Sequence, residues 1–148
     1  MYQFILPVHN FVRWFFLAAA LYAIYRAFKG KTSGTPYSKD DKTAATLLLA
    51  SAHSQLLLGL ILWFYSPTVQ LALANVGLAM KDKASRLILL EHPLLMIIAV
   101  AIIQIGKIKV KKAYADSDKH QRSLVYYGIG LILVLSRIPW SSTPLFRF

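Results

Sequence analysis

Four long apolar runs decide what this chain can fold into. They cover residues 4–28, 44–65, 87–106 and 123–140. A helix needs about 20 mostly apolar residues to cross about 30 Å of hydrocarbon, and each run comes near that length. A soluble domain carries about 25% charged residues, whereas here 16% are charged and 57% are apolar. The expected fold is an all-α membrane protein, one domain of four transmembrane helices in an up-down bundle, with short connections making neighbours antiparallel. The first run is read as a retained helix and not as a signal peptide. It lacks a basic leader, holds Arg13 inside the apolar stretch and offers no small-residue cleavage site before Arg26 and Lys29.

The net charge of +11 would suggest nucleic acid in a soluble protein. Here the basic residues fall between apolar runs, so nucleic acid is set aside in favour of membrane topology. Arg26, Lys29, Lys31, Lys39 and Lys42 flank the first connection, and Lys107, Lys109, Lys111, Lys112, Lys119 and Arg122 flank the third. Together they are eleven of the 17 basic residues. The positive-inside rule puts these connections in the cytoplasm and both termini on the outer side. Lys81, Lys83, Arg86 and Arg147 then lie outside, while Arg13 and Arg137 fall within spans. Residues 30–43, with Gly34 and Pro36, read as a solvated loop. The middle connection, 66–86, repeats Val69, Leu73, Val76 and Met80 at helical spacing but is too polar to span. It reads as an interfacial helix on the outer surface, the alternative being an extension of the second helix past Pro67.

Cysteine is absent, which removes thiol catalysis, disulfides and thiolate metal sites. No nucleophile triad, phosphate loop or HExxH motif is present, so a hydrolase or nucleotide enzyme has little support. Four histidines remain. Ionisable residues inside a span are costly and usually functional. His9 near the outer end of the first span and His92 near that of the third each lie roughly 8 Å inside, at about 1.5 Å per residue. The two helices run the same way and form the natural diagonal of an up-down bundle. Two imidazoles opposed at one depth are what bis-histidine haem ligation needs; the plainer alternative is a pair of interfacial histidines reaching for headgroups.

His53 lies deeper, about 18 Å from the outer end of the second span. It reads as a pocket residue, a competing ligand or a core histidine bonded to Ser or Gln. Ala45, Ala52 and Gly59 give that helix a smooth face suited to close packing or to a flat macrocycle. Arg13 follows His9 by one turn, and Arg137 sits near the outer end of the fourth span. Either can clamp a haem propionate, or instead pair with Glu91 or reach for lipid. Glu91 is also placed to orient an imidazole. His120, amid Asp118, Lys119 and Arg122, reads as a solvated loop residue. Trp14, Trp63, Trp140 and Tyr65 read as interface anchors. Pro93 disfavours α geometry at His92, so the third helix is expected to start or kink there.

Ala52-His53-Ser54-Gln55-Leu56-Leu57-Leu58-Gly59 is similar to the histidine-then-glycine helices of haem-binding four-helix membrane proteins, including each half of haem A synthase. His9-Asn10-Phe11-Val12-Arg13-Trp14, Glu91-His92-Pro93 and Ile138-Pro139-Trp140 resemble segments of small bacterial cytochrome B-like proteins. The resemblance implies a b-type haem held by histidines in a four-helix bundle, and no known donor or acceptor. The leading expectation is an inner-membrane electron-transfer protein, not a self-standing enzyme, with a quinone or a respiratory complex as partner. The fourth span carries no histidine, so one haem is expected. Two other classes stay open. One is a zinc, copper or iron site of His9, His53, His92 and Glu91 without porphyrin. The other is an accessory subunit of a larger membrane complex whose histidines are structural. Assembly as a homo-oligomer stays open under each class.

Overall fold

The computed structural model describes residues 1–140, and every regular element among them is helical. Four long helices carry the fold: α1 (Tyr2–Ser33), α2 (Lys39–Tyr65), α6 (His92–Lys112) and α7 (Asp116–Ser136). Between α2 and α6 lie three short helices, α3 (Pro67–Ala74), α4 (Val76–Lys81) and α5 (Lys83–Arg86), followed by a π-helical turn, Leu87–Glu91. Three helical stretches are long and apolar enough to cross a membrane: Tyr2–Ser33, Lys39–Tyr65 and the continuous Lys83–Lys112.

The helices outrun the apolar runs. The expected loop over 30–43 shrinks to residues 34–38, because nothing breaks α1 before Gly34, whose φ of 62° ends it. Lysines solvate a helix without breaking it, so α1, at about 1.5 Å per residue, extends to about 48 Å. α2 starts where Asp41 accepts hydrogen bonds from the Ser38 backbone N–H at 2.8 Å and the Arg26 Nε at 2.9 Å. The third connection likewise reduces to residues 113–115, between α6 and α7. α7 ends at Ser136, short of the 140 expected, and its opening turns carry charge.

The segment expected to be one interfacial helix is broken into pieces. Ser66, Asn75 and Asp82 each cap a new helix, their side-chain oxygens accepting from the backbone N–H of Val69, Leu78 and Ser85. Such residues satisfy the orphan donors of a helix start and so favour restarting over continuing. Within α3 Val69 is buried and Leu73 exposed, and past the break at Asn75 Val76 is exposed as well.

α1 packs on α2 and α7, and α6 packs on the same two, so α1 and α6 face one another diagonally. Small residues allow close approach. Gly106 lies against the Tyr126 side chain and Gly130 against Ile103. Phe16, Ala20, Leu48, Ala52, Val100, Ile103, Leu131 and Val134 fill the centre. Phe16, Val100 and Val134 also floor the cavity that holds the candidate site.

Candidate functional site

A cavity of about 320 Å³ opens above this core, walled by α1, α2, the start of α3 and of α6, and the residues after α7. His9, Asn10 and Arg13 enter it from α1, Ala52, Gln55 and Gly59 from α2, and His92, Pro93 and Met96 from α6. His9 and His92 thus reach one cavity from diagonally placed helices. Its size is at the low end of the roughly 300–1,000 Å³ usual for small-molecule sites.

The local chemistry around His92 begins with Pro93. Proline has no N–H, so it cannot donate to the carbonyl of Leu89 four residues earlier. The Trp63 indole donates to that oxygen instead, at 3.0 Å. The π turn ends at Glu91, its last hydrogen bond running from the His92 backbone N–H to the Leu87 carbonyl. The α-helical stretch starts here as expected, but His92 itself keeps α geometry (φ −63°, ψ −57°) despite Pro93, and the helix is continuous from Lys83 to Lys112. The His92 ring donates from Nδ1 to the Arg137 carbonyl oxygen at 2.7 Å. A carbonyl only accepts, so a hydrogen sits on Nδ1, and in the neutral imidazole Nε2 carries the lone pair. Metal-ligating histidines are commonly oriented this way through their second nitrogen.

His9 is held differently. The Gln55 amide nitrogen lies 3.1 Å from His9 Nε2 and donates to it. The adjoining Cε1 edge of the ring rests on α2 at Gly59, where an added Cβ would stand 3.2 Å from His9 Cε1. His9 Nδ1 and Gln55 Oε1 are buried without hydrogen-bond partners. Arg13 is only 6% exposed and its Nε is likewise buried without a partner. Its guanidinium lies 5.6 Å from the centre of the Trp14 ring. No carboxylate lines the cavity among the described residues.

The other expected site residues lie elsewhere. His53 is exposed and donates from Nδ1 to Leu49 of its own helix at 2.9 Å. The cavity face of α2 is formed by Ala52, Gln55, Leu56 and Gly59, and His53 is about 100° round from Ala52. Arg137 contributes its carbonyl, whereas its exposed guanidinium pairs with Glu91 at 3.3 Å. Glu91 also accepts from Arg86 at 2.8 Å. Among the described residues no three histidine, aspartate or glutamate side chains gather closely enough to hold a metal ion, so the arrangement of three imidazoles and Glu91 is not assembled.

His120 requires a correction. It is 1% exposed, not solvated. Its Nε2 donates to the Thr35 carbonyl at 3.0 Å, its ring lies 5.2 Å from that of Tyr37, and it rests directly on Gly30. The charged neighbours of His120 face water, while the missing Cβ at Gly30 lets α7 lie on the end of α1. Gln55 and Gly59 were missed as His9 partners. The signal was their place with Ala52 on one face of α2.

Comparison with protein-family models, curated proteins and solved structures gave no match.

The residues present fit a haem in three respects. An imidazole with a fixed lone-pair nitrogen, a second imidazole and a buried cation without a carboxylate partner among the described residues share one apolar cavity. Gly59 and Ala52 keep one wall flat.

Proposed function

We propose that this protein is a membrane b-type cytochrome that relays electrons through one haem near the outer face. The observation that carries the reading is the meeting of His9 and His92 in one cavity from diagonal helices. When bound, the haem would supply one-electron iron chemistry. The chain's own part is to bind, orient and insulate. His92 offers Nε2 because the Arg137 carbonyl holds its other nitrogen. His9 would offer a second imidazole. Arg13 would neutralise a propionate, and Phe16, Met96 and Val100 would keep water away, giving a low local dielectric that shapes the potential.

The topology proposed with it has four spans, α7 being the fourth, in a bacterial inner membrane. Both termini and α3–α5 lie on the outer side, with exposed Leu71 and Leu78 seated at the lipid interface. The donor or acceptor is a quinone or a respiratory membrane complex. Single cysteines at Lys81 and Lys111, tested with an impermeant thiol reagent on intact cells, are expected to label only at position 81. The haem reading is tested by reduced-minus-oxidised spectra of the purified protein. A Soret band is expected in the wild type and lost in His92→Ala. A wild type with no Soret band, before and after haem addition, would remove the proposal.

A further inference from the structure

The two histidines of the cavity are not equivalent, and the difference has a chemical consequence. His92 has its Nδ1 bound to the Arg137 carbonyl, which leaves Nε2 as a lone-pair nitrogen ready for a metal. His9 has neither nitrogen ready. Its Nε2 takes the Gln55 amide hydrogen, and its Nδ1 is buried beside Gly59 on α2. Ligation through His9 therefore requires the ring to leave Gln55 and turn from α2.

We propose that Gln55 competes with the haem iron for His9, so that His92 is the permanent protein ligand and His9 an exchangeable one. The position opposite His92 is then open to a small neutral ligand, of which carbon monoxide is the probe. This rests on the haem reading above. Gln55 is a positioning residue here: it acts on iron only through His9. A neutral hydrogen bond shifts such an equilibrium on the order of fivefold. Arg13 and Gln55 line the same cavity, and Arg13 Nε and Gln55 Oε1 are buried without hydrogen-bond partners.

The test uses the purified, haem-loaded full chain, reduced with dithionite and titrated with carbon monoxide. The wild type is expected to show a shifted Soret band over part of its haem. Gln55→Met keeps the side-chain length but removes the donor, and is expected to lower carbon monoxide affinity about fivefold as His9 is released to the iron. His9→Ala is expected to raise it and to complete the shift. A wild type that holds haem but does not respond to carbon monoxide would overturn the inference while leaving the haem reading in place. Absence of a Soret band in the wild type would end both. Gln55→Leu, which also lacks the donor, serves as a second variant should Gln55→Met fold poorly, and carbon monoxide affinity unchanged in both would overturn the role given to Gln55.

Discussion

The His92 imidazole is fixed by a backbone atom of another helix terminus: its Nδ1 donates to the Arg137 carbonyl oxygen at 2.7 Å. α7 has ended one residue earlier, and the carbonyl of Arg137 points to the ring that needs it. The contact belongs to the main chain, so the side chain at 137 is dispensable for it. Arg137→Ala is expected to keep haem affinity within about threefold, losing only an exposed pair with Glu91 that solvent screens. A haem titration checks this. A loss beyond tenfold would assign the guanidinium itself to the site.

Arg13 behaves in the opposite way. It is buried, and among the described residues the cavity offers it no carboxylate. A buried charge without its partner is a burden until an anion arrives. Arg13→Leu is therefore expected to leave the haem-free protein as stable or more stable. It is also expected to weaken haem binding by at least tenfold, since charge-assisted hydrogen bonds contribute about 1.5–3 kcal/mol. Thermal unfolding of the haem-free protein and a haem titration give the two readings. A variant that loses stability and keeps its haem affinity would make Arg13 a structural residue.

Trp63 and Pro93 act as a pair. The proline withholds a hydrogen from the Leu89 carbonyl, and the indole supplies one at 3.0 Å. Trp63→Phe leaves that oxygen without the indole donor and is expected to cost about 1–3 kcal/mol. In a Pro93→Ala background the backbone regains a donor, and the same change is expected to cost less. A double-mutant cycle in detergent measures the difference, and additive losses would uncouple the two residues.

What was readable in the sequence follows from periodicity and length. Apolar runs gave the helical class and the three stretches able to span, and equal depth brought His9 and His92 to one level. Depth says nothing about angle, which is why His53, at home in an apolar run, turned outward while Gln55 two residues on turned inward. Charge content misplaced His120, because burial there depends on a missing Cβ at Gly30, ninety residues away in the chain. The segment after Ser66 misled for a related reason. Its apolar spacing was helical, yet the capping power of Asn75 and Asp82 was stronger than the pull to continue.

The seat of His120 gives its own prediction. A Cβ at Gly30 would collide with the imidazole. Overpacking costs about 1–3 kcal/mol, against about 1 kcal/mol gained when alanine replaces glycine in a helix. Gly30→Ala is therefore expected to lower the unfolding temperature by a modest amount. His120→Ala in the same chain is expected to restore part of it, because the collision is removed. A Gly30→Ala protein as stable as the wild type would show that the ring moves aside freely.

Tyr37 links the same region to pH. It lies on the connection between α1 and α2, half-buried against the His120 ring, and burial pushes its phenol up from the ordinary value of about 10. Because the folded state holds the proton more tightly than the unfolded chain, folding stability is fully present below about pH 10 and falls as the pH rises toward the folded-state value. Tyr37→Phe keeps the ring contact and removes the ionisable hydroxyl. The variant is expected to lose less stability than the wild type between about pH 10 and 12, with little change at neutral pH. Unfolding midpoints across that range measure it. Parallel curves for the two proteins would mean that the Tyr37 phenol ionises as easily in the fold as in the unfolded chain.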